Sequence, residues 1–453
     1  MSSASVSALA QVMRRAAKAL PPINSASFGE SFDWLGQYKV VLLGDASHGT
    51  SEFYAARAEI TKRLIKEHGF KLVALEADWP DAEAIDHYVR RWPGQHPDPV
   101  KAARDKESPF QRFPTWMWRN REMQDLIHWM RDYNEGLPPE EKAGVYGLDL
   151  YSMGSSMSSV IGYLQNIDPE MAKAARERYA GLQRWVNREH QYGRKMLQTK
   201  YMEHLKSCEE DVIKMLLDLL RKRLEYSAKI NDGERFHSAE QNAALVVDAE
   251  EYYRKMYYSD VVSWNLRDLH MFGTLKRLLD FRKSKAVVWA HNSHLGDARF
   301  TDMGTQREEL NLGQLCREHL SDVVLVGCGT HDGTVAAAHE WGGDMQIMKV
   351  NPSQEDSWEY VAHSTGIPRF LLDMRKKHCD EDTRRALSAS RLERFIGVIY
   401  RPKTELWSHY SGSRLSKQFD AYVFFDRTQA VGALENTQPH TSLLEAETYP
   451  FGL

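Results

Sequence analysis

A chain of 453 residues that is 42% hydrophobic and 11% aromatic has ample material for a large core. Its 59 Lys and Arg against 63 Asp and Glu leave a net charge of −4, which argues against a nucleic-acid partner, because such partners select a basic face. No apolar run approaches the roughly 18 residues of a membrane span. The scattered Cys208, Cys316, Cys328 and Cys379 fit neither a zinc spacing nor a disulfide framework and suit a reducing cytoplasm.

The length alone would allow several domains, but strand-like runs extend from the first third to Phe424-Phe425. A sheet fed from both ends of the chain makes residues 1–453 one α/β domain, with a central, mainly parallel sheet flanked by helices. Near the amino terminus, Val6, Leu9, Met13, Ala16 and Leu20 have the spacing of an amphipathic helix. Val40-Val41-Leu42-Leu43 is an apolar strand that runs into Gly44-Asp45-Ala46-Ser47-His48-Gly49-Thr50. That places His48 at the carboxyl end of a buried strand, where open α/β sheets bind ligands; the alternative is that His48 caps the next helix. Ser51 to His68 reads as that helix, and Lys71 to Ala77 as the next strand, carrying Glu76 near its end. Sequential parallel strands are usually neighbours, which sets Glu76 beside His48. Gly144 to Leu150 repeats the design with Asp149, and Ala286 to His294 with His291 and His294. Burying such groups unpaired costs several kcal/mol, so the strand ends imply one shared polar cleft.

Between Asp149 and His291 the chain is dense in helix formers, and no proline falls between Pro169 and Pro352. Residues 155–281 therefore read as a helical insertion forming a lid over the cleft, with long helices over about Pro169 to Lys229, a solvated hairpin, and about Ala239 to Phe281. The second carries Tyr252, Met256, Ser259 or Asp260, Ser263 and Arg267 at helical spacing. Arg267 either brings donors to the cleft or forms a structural pair with Asp268. Further strands are expected at Val323 to Gly327, Phe395 to Tyr400 and Asp420 to Asp426, and the loop Trp407-Ser408-His409-Tyr410 sets His409 at the substrate entrance.

No Gly-x-Ser-x-Gly elbow exists for serine catalysis, and no cysteine lies near the histidine motifs. Water activated by His48 remains as nucleophile, an imidazole being matched to that proton transfer at neutral pH. Glu76 or Asp45 can orient the imidazole, and Arg57 or Arg267 can stabilise the oxyanion. His291 and His294 either shuttle the proton to the leaving alkoxide or bind the substrate carbonyl. A rival reading makes His48, His291, His294, Glu76 and Asp149 a metal site for a metal-dependent hydrolase, although no His-Glu-x-x-His helix is present.

Taken together, Gly44 to Thr50, the helix face with Phe53, Arg57 and Ile60-Thr61, Leu75 to Pro80, Asn265 to Asp268 and Ala290 to His294 resemble the erythromycin esterase family. The resemblance runs from about Gly36 to about Val431. It implies a small-molecule ester or macrolactone as partner, hydrolysis without metal or other cofactor, and, for macrolide substrates, antibiotic resistance. On that reading His48 is the general base, Glu76 its orienting acid, Arg57 and Arg267 the anion-stabilising pair, and His291 and His294 the leaving-group and substrate contacts. Asp45, Asp149 and His409 complete the expected substrate contacts. One departure stands out: Asp45 occupies a position usually held by Glu. Because the family's fold is similar to that of a group of haem-binding proteins, non-catalytic ligand or haem binding is the alternative function.

Overall fold

Apolar runs between polar turns become strands throughout the chain. A computed structural model describes residues 5–94, 96, 98–99, 109–199, 207–230 and 233–435. Its strands are β1 (Ala17–Ala19), β2 (Val40–Asp45), β3 (Phe70–Asp78), β4 (Gly144–Asp149), β5 (Lys285–His291), β6 (Val323–Ala337), β7 (Gln346–Val350), β8 (Arg369–Asp373), β9 (Arg391–Arg394), β10 (Tyr410–Ser413) and β11 (Ala421–Thr428). The main sheet runs β1-β8-β11-β6-β2-β5-β3-β4, with β7 paired to β6. From β11 to β4 every pairing on that path is parallel, and β8 and β1 add an antiparallel margin.

Both faces of this sheet are covered, as parallel strands require. Val41, Leu43, Val73, Leu75, Val287 and Trp289 point into one core, whereas Val40, Leu42, Leu72, Ala74, Ala286 and Val288 point into the other. The helix Ser51–His68 lies on the first side, and the helices between β4 and β5 supply much of the second. The amino-terminal helix Val6–Ala16 buries Leu9, Ala10 and Met13 on its apolar stripe.

Strand order corrects the expectation for β2 and β3. They are not neighbours, because β5 returns from the helical segment and inserts between them. The expected hairpin from Pro169 is instead a series of shorter helices, Pro169–Gln183, Glu189–Thr199, Glu209–Arg221 and Arg223–Ile230, with residues 200–206 outside the described set. Their charged sequences still bury Tyr179, Leu182, Val212, Met215 and Leu219. The expected helix Ala239 to Phe281 is two, Gly233–Lys255 and Asp260–Arg282, and the Ser259 hydroxyl caps the second by accepting from the Val262 N–H. A stripe through Tyr252 and Arg267 on one helix therefore does not exist. Phe395 to Tyr400 makes isolated bridges rather than a strand. Its backbone groups bond to the loop after β2, to Ala338 and to His409 in place of a continuous ladder. Among the described residues no helix is long and apolar enough to cross a membrane.

Candidate active site

The loop that follows β2 is held by backbone. A Cβ on Gly44 would stand 2.2 Å from Asn292 Oδ1, and one on Gly49 would stand 1.9 Å from the Ala336 carbonyl oxygen, so only glycine allows these approaches. Between them the His48 N–H donates to the Ile396 carbonyl at 3.3 Å, and the Ile396 N–H donates to the Ala46 carbonyl at 2.8 Å. Tyr54 Oη donates to the His48 carbonyl at 3.1 Å. The helix cap is Thr50, which leaves the His48 imidazole uncommitted to capping.

Around that imidazole the strand ends converge. Nδ1 of His48 stands 3.4 Å from Asp45 Oδ1, and Nε2 stands 3.8 Å from Glu76 Oε1. Glu76 reaches this point although β5 separates the strands, because the register of β3 against β4 shifts between Leu75 and Asp78. Its carboxylate takes up the ladder position that β3 vacates: the His291 N–H donates to Glu76 Oε2 at 2.8 Å. Arg267, on the helix Asp260–Arg282, donates from Nη2 to Glu76 at 2.7 Å and to Asp149 at 2.6 Å, and from Nε to Asp149 at 3.0 Å. That pairing, rather than one with Asp268, is its ionic contact. Asp268 instead accepts from His294 Nδ1 at 2.9 Å, while His294 stacks on Trp264. Arg57 pairs with Asp45 at 2.6 Å and lies between the rings of Tyr54 and Trp289.

Electrostatics follow from this arrangement. Burial alone would raise Glu76, but His294, His48 and Arg267 hold its carboxyl well below the usual range. Asp45 is likewise lowered against burial by Arg57 and His48. His294 is raised to about 9, since Asp268 and Glu76 outweigh burial and Arg267. His291 is pushed down to about 3 by burial, with His48 adding to it. Asp45, Glu76, Asp149 and Asp268 thus face two arginines, Arg57 and Arg267, with His294 between Asp268 and Glu76, so acids outnumber arginines in the cluster.

A cleft opens over part of this cluster. His48, Glu76, Asp149 and Arg267 line it. Asp45, Arg57, His291 and His294 do not; they form a layer behind, at most 1% exposed. His409 also lies away from the lining. Its Nδ1 lies 3.1 Å from the Phe395 carbonyl and its Nε2 accepts from the Arg401 N–H at 3.0 Å, so the ring shapes its own loop and does not line the cleft. Among the described residues no group of His, Cys, Asp and Glu is placed to hold a metal ion. The acids meet arginines where a metal site would bring ligands together.

The sequence profile of the erythromycin esterase family matches residues 65–428. The chain belongs to that family. A relative described as the putative hydrolase YbfO of Bacillus subtilis (strain 168) is 20% identical over 412 residues, covering 86% of this chain and 83% of its own. Among solved structures, a Bacillus cereus protein superposes with a TM-score of 0.75 at 21% identity, covering 95% of this chain and all of that one. A mutant of the erythromycin esterase EreC in its open conformation gives 0.61 at 16% identity, covering 92% and 99%. At such identities these structures show that the erythromycin esterase fold is shared.

In this erythromycin esterase family member, much of the cleft wall lay outside the sequence reading. Phe110, Phe113, Pro114, Met117, Trp118 and Trp341 give the cleft a largely aromatic lining, together with Asp78, Asp81, Arg112 and Tyr151. The density of Phe, Trp and Pro between Phe110 and Trp118 was the available signal. Asp78 accepts from the Tyr151 N–H at 2.8 Å and pairs with Arg112, and burial, with Asp149 and Asp81 nearby, raises its carboxyl to about 7.

Proposed function

We propose that this protein is a hydrolase of carboxylic esters or lactones in which water, activated by His48, attacks the carbonyl carbon directly. The observation that carries the reading is the surplus of acids over arginines around His48, at the point where its imidazole meets the cleft. A proton on His48 reduces that surplus. A positive imidazole is thereby stabilised without reorganisation, which is what a general base needs in its transition state.

Each part has a defined task in this reading. Water forms the new C–O bond as its proton passes to His48. Asp45, 3.4 Å from Nδ1, is the acid that stabilises the imidazolium, and Arg57 holds Asp45 in place. This moves the orienting role from Glu76 to Asp45, because Glu76 is engaged by Arg267 and the His291 N–H. Arg267, fixed by Glu76 and Asp149 and exposed to the cleft, is the cation nearest the developing oxyanion. As the ester C–O bond breaks, the His48 proton goes to the leaving alkoxide. The products are a carboxylate and an alcohol, or one ring-opened hydroxy acid from a lactone. The aromatic lining suits an apolar face of the substrate, and the helices between β4 and β5, which bring Arg267 to the cleft, act as its cover. The family name supports a macrolactone as one candidate substrate.

The test is mass spectrometry of erythromycin and a panel of smaller lactones and esters after incubation with wild type and with His48→Asn. The expected result is addition of one water by wild type, slowed at least about a hundredfold in the variant. Activity within about tenfold of wild type in a folded His48→Asn protein removes His48 as the base.

A further inference from the structure

His48 and His291 are a close pair, with ring centroids 5.0 Å apart and planes at 49°. Two imidazoles this close repel when both are positive, so only one can readily hold an extra proton. Whether His291 competes for it depends on which of its nitrogens carries hydrogen. Three contacts at the start of the helix Asn292–Leu295 decide this.

The first is a cap. His291 precedes that helix, and its own Nδ1 accepts from the Ser293 N–H at 3.4 Å. A backbone N–H only donates, so Nδ1 presents a lone pair. The second is the Ser293 hydroxyl, 2.8 Å from the same nitrogen; with that lone pair facing it, Oγ donates as well. The third is the hold on Ser293, whose carbonyl accepts from Asn311 Nδ2 at 2.7 Å, while Asn311 also donates to Gly296. Ser293 is 3% exposed and His291 is fully buried, so bulk water does not compete for Nδ1. The neutral ring favoured by burial then carries its one hydrogen on Nε2, an atom shielded from solvent.

We infer that Ser293 is a positioning residue that locks His291 in the Nε2–H tautomer and so reserves proton acceptance in the pair for His48. A hydrogen on Nε2, with Nδ1 occupied by Ser293, leaves His291 no free lone pair on which to take a proton. Positive charge is thereby kept off His291, beside an imidazole that must become positive. The opposite tautomer would leave a free lone pair on Nε2. The inference rests on the role proposed for His48, but the state of His291 can be read without turnover.

The experiment is long-range nitrogen–hydrogen correlation NMR on full-length protein labelled with ¹⁵N-histidine, with His291 assigned by the loss of its signals in His291→Gln. Expected is a single neutral Nε2–H tautomer from pH 5 to pH 8 in wild type. Ser293→Ala keeps only the longer N–H contact, and a mixture with Nδ1–H is expected, with restoration in Ser293→Thr. On any ester that wild type hydrolyses, Ser293→Ala is expected to lower kcat at least about tenfold with KM unchanged, as loss of the correct tautomer does in histidine-based catalysis. A wild-type His291 that shows Nδ1–H, or that protonates within this range, overturns the inference, whether or not Ser293→Ala folds. So does a Ser293→Ala protein that keeps the pure Nε2–H form. An ester panel without turnover counts against the hydrolase reading, and the wild-type spectrum still decides the tautomer.

Discussion

At the amino end of β4, Asp86 accepts the Val145 N–H at 3.1 Å and pairs with Arg90, which also grips Glu234; Arg282 closes the group on Glu234 at 2.8 Å. At the carboxyl end of the same strand, Asp149 and Glu76 grip Arg267. Both clusters bury charge, yet they differ in balance and in partners. Two acids meet two arginines at the first, where burial raises Asp86 to about 6 against the pull of Arg90 and Arg282. At the second, acids exceed arginines and the imidazoles of His48 and His294 stand within reach of Glu76. Buried ion pairs alone are weak grounds for assigning function. An unbalanced cluster containing an imidazole, with access to a ligand, is stronger ground.

Arg90→Met tests the balanced end and has the largest expected effect. It strands Asp86 and takes from Glu234 one of its two arginines, and urea unfolding is expected to show a loss of about 3–5 kcal/mol, with kcat of the folded fraction unchanged. A kcat collapse there would erase the distinction between the two ends. His48→Asn is its counterpart: at least about a hundredfold lower kcat/KM with a melting temperature near that of wild type. His409→Ala leaves the Arg401 N–H unpaired and is expected to cost about 1–3 kcal/mol in unfolding without altering KM. A raised KM would return His409 to the substrate entrance.

The smallest effect is a pH slope. His294 holds its proton more tightly folded than unfolded, so its contribution is complete below about pH 6.5 and drains away as pH rises towards 9. His291 acts on the other limb: the unfolded chain binds a proton that the folded one refuses, so stability falls as pH drops from about 6.5 towards 3. Urea midpoints against pH are expected to show a flatter alkaline limb in His294→Gln. An unchanged limb would mean that His294 is not the group holding the proton.

Convergence of His48, Glu76, Asp149, His291 and His294 was legible in the sequence, because each follows an apolar run long enough to specify a strand, and burial of their charges demands a common partner. Strand order was not. Nothing in the local pattern of Lys285 to His291 says that β5 slots between β2 and β3, and that insertion depends on the packing of a helical segment more than a hundred residues long. The layer behind the cleft was also hidden. Arg57 lies on a helix face whose direction depends on Tyr54 and Trp289, which are separated widely in the chain. Phe395 to Tyr400 misled for a physical reason: alternating apolar residues fit a strand, but a segment that braces a loop has the same composition.

That brace has a consequence for how the protein is made. The loop bearing His48 leaves the ribosome well before Ile396, whose backbone fixes it, and before β11, which sits between β6 and β8. A chain not yet extended to those segments therefore contains His48, Glu76 and Arg267 without the frame that aims them. Chemistry at this site is withheld until both have been made.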